Sequence, residues 1–202
     1  MYGIIFLIYM KVITMRDWTS YQENSLNGEV CRLLKYFVSH YTGYKTVVDL
    51  GCGVGNEVVY MLKKGFFVTA IDRQLNKNYI LDRIDDSLIN KFSFIERDFV
   101  GLDIPKSDLL MSFFSIPFCK LDYFDTLWDN IYNSINDNGY FIGQLFGERD
   151  DLRLVGDINV FSKEEALKYL NRYEILYFKE FEYVRETDNK KWHFFNFIVR
   201  KK

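Results

Sequence analysis

The residues Thr46-Val47-Val48-Asp49-Leu50-Gly51-Cys52-Gly53-Val54-Gly55-Asn56-Glu57 carry the densest chemical signal in this chain. A β-branched run ends in an acid, and glycines then alternate at Gly51, Gly53 and Gly55. A turn built this way lets a ligand reach backbone with no Cβ in the way. The acid sets the charge of that ligand. A carboxylate just before the turn repels pyrophosphate and attracts an ammonium or a sulfonium. The dinucleotide fingerprint G-x-G-x-x-G also fits poorly, because its third glycine would fall at Asn56. Cys52 is expected to fill space inside the turn rather than to act as a nucleophile.

The turn needs a strand before it and a helix after it, and the flanking pattern supplies both. Val30, Leu33, Leu34, Phe37, Val38 and Tyr41 mark an amphipathic helix over residues 25–41. A second helix runs from about Asn56 to Lys64 and stops at Gly65. Phe67 to Ile71 reads as a buried strand ending at Asp72, and residues 74–89 (Leu75, Tyr79, Leu81, Ile84, Leu88) as a helix. Phe92 to Ile95 is a third strand leading to Arg97-Asp98-Phe99, and Asp108 opens a fourth that runs to Phe114. Phe124, Leu127, Trp128, Ile131 and Ile135 share a helix face. Asp137-Asn138-Gly139 is a turn, and Tyr140 to Phe146 a fifth strand. Ser162 and Glu165 form a capping box. Tyr173 to Val184 and Trp192 to Arg200 are long strands joined by a hairpin turn at Thr187-Asp188-Asn189-Lys190.

Alternating strands and helices imply right-handed crossovers and a mostly parallel sheet. The reading is an α/β, doubly wound, seven-stranded sheet closed by a C-terminal antiparallel hairpin. Residues 1–24 form an N-terminal arm or lid and residues 25–202 a single domain. Ligands of such sheets lie beyond the carboxyl ends of the strands, beside the first. Three carboxylates fall on that edge: Asp49, Asp72 and Asp98. Asp72 lies 21 residues beyond Gly51, the distance at which an acid accepts from ribose hydroxyls. Each acid alone also suits a turn or a helix cap; three at successive strand ends point to a ligand.

Val48 through Gly55 resembles the first motif of the class I methyltransferases that use S-adenosylmethionine, hydrophobic-Asp-hydrophobic-Gly-x-Gly-x-Gly. The resemblance covers roughly residues 25 to 200 and implies a Rossmann-like fold with S-adenosylmethionine as cofactor. It implies that Asp49, Gly51, Cys52, Gly53, Gly55 and Asn56 border the methionine end, and that Asp72 binds the ribose. Asp98 then meets the adenine amino group with Phe99 beside the ring; Arg73 flanks the adenine, and Phe114 belongs to the same wall. Ser112 to Phe118 stands where amino-group methyltransferases carry Asn/Asp-Pro-Pro-aromatic. This chain has Ser115-Ile116-Pro117-Phe118, without the amide and with one proline, which disfavours nucleobase or glutamine methylation. Gly139 to Asp150 and Lys191-Trp192-His193 look like the small-molecule subgroup that includes the tellurite-resistance methyltransferases. His193 is the candidate base; Ser115, Phe118 and Trp192 are candidate acceptor contacts. Trp18 and Tyr21 are a candidate lid by the same analogy. The alternatives are a cofactor-binding regulatory module without catalysis and a nicotinamide oxidoreductase.

Composition narrows the partners. The net charge of −2 gives no basic field for nucleic acid. An odd set of three cysteines, Cys31, Cys52 and Cys119, suits a reducing cytoplasm, and two histidines are too few for a zinc site, so no metal is expected. Met1 to Met10 is apolar but too short to span a bilayer, and Met10 or Met15 is an alternative start. The expected partner is a small-molecule substrate, with no nucleic acid and no membrane, and the expected state is a monomer or weak homodimer.

Overall fold

The computed structural model describes residues 25–202 apart from 27, 75 and 157. Trp18, Tyr21, Leu75 and the apolar Met1 to Met10 run lie outside the described residues. The elements are α1 (Arg32–His40), β1 (Thr46–Leu50), α2 (Asn56–Lys63), β2 (Phe67–Asp72), α3 (Asn78–Leu81), β3 (Phe92–Glu96), β4 (Ser107–Ser112), α4 (Leu121–Ser134), β5 (Ile135–Phe146), α5 (Lys163–Leu170), β6 (Tyr173–Val184) and β7 (Lys191–Lys201). Three 3₁₀ turns, Asp86–Lys91, Ile116–Phe118 and Asp151–Val155, complete the described set.

The seven strands form one sheet in the order β3-β2-β1-β4-β5-β7-β6. β1 to β5 pair in parallel, and β7 runs antiparallel between β5 and β6. The central strands are apolar almost throughout because both faces are covered. Val48, Leu110, Phe141 and Phe197 face α4 and α5, packing with Phe124, Leu127, Trp128 and Leu170. Val47, Leu109, Ile142 and Ile198 face the other way onto Leu34, Phe37, Val58 and Leu62 of α1 and α2. Each such side chain contributes roughly 1.5–3 kcal/mol when fully buried.

At the amino ends of the strands, the Asp108 carboxylate gathers four donors. It accepts from the Lys45 N–H (2.9 Å), the Thr46 N–H (3.0 Å), the Thr46 hydroxyl (2.9 Å) and the Asn136 amide (2.8 Å). It thereby ties the starts of β1, β4 and β5 together. Burial works against its charge, but these hydrogen bonds prevail and pull Asp108 down to about 2.

Several expected boundaries differ. The helix expected from residue 25 begins only at Arg32, because Gly28 donates back to the Ser25 carbonyl (2.8 Å) and Cys31 donates to the Glu57 carboxylate (2.9 Å). The helix expected over residues 74–89 is one turn of α3 followed by the 3₁₀ segment. The Asn76 side chain accepts from the Asn78 N–H, and the Leu88 N–H donates to the Asp85 carbonyl as the 3₁₀ segment begins. β4 stops at Ser112, short of Phe114. β5 starts at Ile135 and contains the expected turn at Asp137-Asn138-Gly139, where Asn138 has φ +61°.

Candidate active site

The Gly-rich turn leaves β1 at the carboxyl edge of the sheet. The Gly51 and Cys52 N–H groups both donate to the Ile71 carbonyl (2.7 and 3.1 Å), so the turn is bonded to β2 as it begins. Gly51 has φ +79°, and a Cβ there would lie 2.2 Å from the Ser115 Cβ and 3.4 Å from the edge of the Phe99 ring. This single close approach unites the ends of β1, β3 and β4. A Cβ on Gly55 would strike Ile80 at 2.4 Å, so that glycine permits α2 to pack on α3. Gly53 differs: its φ is +54°, yet nothing lies within 4 Å of where its Cβ would be. Here the turn faces open space, as a backbone approached by a ligand must.

Acids surround that opening. Asp49 is 2% exposed, and among the described residues no donor pairs with its carboxylate. Burial, then the nearby charges of Glu57 and Asp72, hold its pKa well above the usual carboxylate range. Asp72, the last residue of β2, accepts from the Gly53 N–H (2.9 Å) on one oxygen and from the Gln74 N–H (3.0 Å) on the other. Each oxygen keeps a further lone pair. Asp98 follows β3, is exposed, and accepts from the Val100 N–H (3.2 Å), with Phe99 half-buried beside it. Arg73 is exposed at the end of β2. Cys52 is buried, and burial first, then Asp49 and Asp72, pushes its thiol well up, so it stays protonated.

Two residues essential to this geometry escaped the sequence reading. Glu57 in the first turn of α2 is buried, which raises its pKa, and it caps the Cys31 N–H. Arg83 bonds the Val54 carbonyl, the Asn56 side chain (2.6 Å), the Leu26 carbonyl (3.2 Å) and the Tyr79 carbonyl. It is a clamp on the outer half of the turn. Asn56 itself is spent on the scaffold, donating to the Ser25 carbonyl (2.8 Å) while accepting from Arg83. The available signal was Arg83 standing among Tyr79, Ile84 and Leu88.

Beyond β4 the chain passes from the turn to an aromatic group. Ser115, expected to meet substrate, donates instead to the Leu50 carbonyl and lies 2.6 Å from the Ser112 hydroxyl, holding the turn from below. Phe114 is half-buried with φ +56°. Its ring stacks on Phe146 (4.8 Å between centroids) and meets Phe194 (5.2 Å) and Trp192 (5.7 Å). Phe118 touches Phe146 edge-on (6.1 Å).

His193, the candidate base, lies near the start of β7. The ring is 1% exposed. Nδ1 accepts from the Arg149 N–H (3.0 Å), and Nε2 lies 2.9 Å from Glu180 and 3.1 Å from the Arg149 guanidinium. Both nitrogens are engaged, and β4 and β5 separate β7 from the Gly-rich turn. Its geometry is that of a strand-end brace. Glu180, Glu182 and His193 do bring three ligand atoms within 4.8 Å. Arg149, Lys163 and Lys191 already pair with those carboxylates, which makes the group an ion-pair network.

The sequence matches the family described as tellurite resistance protein TehB over residues 20–194. The fold is similar to the crystal structure of TehB from Haemophilus influenzae (TM-score 0.76, 20% identity), covering 90% of this chain and 66% of that one, just under two thirds. It is also similar to Burkholderia thailandensis 1,6-didemethyltoxoflavin-N1-methyltransferase with bound 1,6-didemethyltoxoflavin and S-adenosylhomocysteine (TM-score 0.71, 16% identity, 95% of this chain and 88% of that one). A third is N-methyltransferase NodS from Bradyrhizobium japonicum WM9 in complex with S-adenosylhomocysteine (TM-score 0.64, 14% identity, 92% and 98%). No curated protein matches the sequence. Among the described residues no helix is long and apolar enough to cross a membrane.

Proposed function

This chain belongs to the TehB family of tellurite resistance proteins and carries the class I methyltransferase fold, and from that premise we propose that it methylates a small, soft acceptor using S-adenosylmethionine. One observation carries the reading: a buried acid with no donor among the described residues, Asp49, lies beside a turn in which Gly53, unlike Gly51 and Gly55, has open space where a Cβ would be. That pairing fits a cationic ligand lying against backbone. Burial and the neighbouring Glu57 and Asp72 disfavour the ionised form of Asp49, and a bound ammonium or sulfonium would relieve it. A dinucleotide phosphate would make the crowding worse.

S-adenosylmethionine, when bound, supplies a methyl group already activated by the sulfonium charge. The chain's own task is then to hold and align. Gly51, Gly53 and Gly55 let the backbone approach, and Arg83 and Ser115 fix the turn from its two sides. Asp72 offers its remaining lone pairs to ribose hydroxyls, and Asp98 with Phe99 borders the adenine. Phe114 separates the cofactor side from the aromatic group that faces the acceptor. Alignment at near-attack distance supplies most of the rate enhancement. A thiol or chalcogen acceptor ionises without help near neutral pH, so a general base is dispensable, consistent with His193 being occupied. Cys31, Cys52 and Cys119 are all unpaired, which supports a reducing compartment such as the cytoplasm.

The test is isothermal titration with S-adenosylmethionine, S-adenosylhomocysteine and NAD. We expect roughly micromolar affinity for the first two and no heat from the third. Silence from both adenosyl ligands at millimolar concentration would end this reading.

A further inference from the structure

The chain crosses from β3 to β4 through residues 97–106, and no helix forms there. A parallel crossover ordinarily lays a helix over the sheet. Here the α4 side of β2 and β3 stays open, and the register names what it leaves bare. Thr46 pairs with Phe67, Val48 with Thr69, and Thr69 with Ser93. Val48 faces α4, so Phe67, Thr69 and Ser93 share that face. Phe67 is 52% exposed, and Ser93 is exposed as well.

A cavity of about 120 Å³ opens at this place, at the amino ends of β1 to β4 and on the opposite edge of the sheet from the Gly-rich turn. Lys91, Lys106, Asn90, Thr69 and Ser93 line it, and no acid does. The Lys91 ammonium donates to the Gly65 carbonyl beyond α2 (3.1 Å), and that of Lys106 to the Asn133 carbonyl in the last turn of α4 (2.7 Å). Each keeps two further N–H donors, and among the described residues neither has a carboxylate partner. The side chains of Asn90, Thr69 and Ser93 likewise have no hydrogen-bond partner among the described residues. The Thr46 hydroxyl is committed to Asp108, and Asp103 lines the neighbouring groove instead. Ser107, 1% exposed, adds a hydroxyl without a partner beneath the cavity. It is shut off from solvent, but nothing fixes its O–H, so the dipole is free to turn toward a negative charge in the cavity.

We propose that this cavity binds a tetrahedral oxyanion of the phosphate type, free or as a monoester, at a site apart from the cofactor cleft. The wall selects that chemistry. Two ammonium groups match a double charge, and a cation finds no acid to hold it. Donors converge from β2, from β3 and from the approach to β4. A tetrahedral ion offers oxygens in that many directions, whereas a carboxylate offers two in one plane. The size agrees, since the space equals about four waters at roughly 30 Å³ each. The organic part of a monoester would extend past Lys106 into the neighbouring groove of about 640 Å³. An ion held by Lys91 and Lys106 bridges the gap that the absent crossover helix leaves. The inference does not depend on the methyltransferase reading.

The experiment titrates inorganic phosphate and glycerol 3-phosphate into the protein by calorimetry, with chloride keeping the ionic strength constant. The wild type is compared with Lys91→Gln, Lys106→Gln and the double variant. Ser93→Asp, which sets a negative charge on the wall, tests the site without touching either lysine. Lys179→Gln on β6 controls for general charge. We expect saturable millimolar binding, about tenfold weaker in each single lysine variant, as the loss of one charge-assisted hydrogen bond gives. The double variant and Ser93→Asp should not bind, and Lys179→Gln should bind as the wild type does. The tighter of the two probes identifies the source, and either order supports the site. Bound phosphate should also raise the melting temperature of the wild type and not that of the double variant. Absence of saturable heat from both probes in the wild type overturns the proposal. So does binding that survives the double substitution or Ser93→Asp, or that falls equally in Lys179→Gln.

Discussion

Replacing Asp49 with Asn separates what the acid does for the ligand from what it costs the fold. In the ligand-free protein the carboxylate is buried without a donor and near Glu57 and Asp72. Removing its charge relieves desolvation and repulsion, so Asp49→Asn is expected to melt at or above the wild-type temperature. The raised pKa fixes the pH dependence. A group whose folded pKa exceeds its unfolded value of about 3.9 favours the fold fully below that value. That contribution is lost as pH rises through the folded pKa, so the variant's advantage should grow with pH over that range. Binding moves in the opposite direction. A ligand cation roughly 5 Å from the carboxylate, in an effective dielectric of about 20, gains about 3 kcal/mol by Coulomb's law. Asp49→Asn should therefore weaken S-adenosylmethionine by about two orders of magnitude. Calorimetry on both proteins, with thermal melts across pH without ligand, gives both quantities. A variant that is less stable yet binds normally would refute the reasoning, because Asp49 would then be structural.

Other substitutions probe separate parts of the site. Gly53→Val should abolish cofactor binding in titration, since a branched side chain would occupy the open space above the turn, and the φ of +54° adds strain to the variant. Asp72→Ala should weaken cofactor binding by roughly 1.5–3 kcal/mol through lost charge-assisted hydrogen bonds, with a lower melting temperature because Gly53 and Gln74 lose their acceptor. An unchanged dissociation constant would remove Asp72 from the ribose site. His193→Asn should lower the melting temperature by an amount equivalent to about 1–3 kcal/mol, since a buried network loses a member, while the pH profile of methyl transfer keeps its shape. Loss of one limb of that profile would restore His193 as a base.

The framework was legible because its signals are local. A β-branched run, alternating glycines and an acid at each strand end are contiguous in sequence, and the parallel pairing of β1 with β2 and β4 follows from the helices between them. The clamps were hidden because they are distant. Arg83 reaches Val54 from 29 residues away, and Glu57 reaches Cys31 across 26. No periodicity marks such a bond. The partners of His193 were hidden for a related reason: Arg149 and Glu180, which meet its two nitrogens, lie 44 and 13 residues away. The helix expected over 74–89 is shorter than its hydrophobic spacing suggests, and at its start the Asn76 side chain offers the Asn78 N–H a local partner, a competition that such spacing does not register.

The Asp108 knot gives the molecule a mechanical polarity. One edge of the sheet is cross-tied by four hydrogen bonds to a single carboxylate, and the opposite edge carries crowded acids, strained Phe114 and a bare turn. Local opening is then cheap at the ligand edge and expensive at the other, so fluctuations are expected to pivot about the strand starts. Amide exchange would register this as a gradient: protons at Lys45 and Thr46 released only by global unfolding, and those at Gly53 and Gln74 by excursions that leave the sheet whole. A fold arranged like this can breathe to admit and discharge ligands while its register stays pinned from beneath.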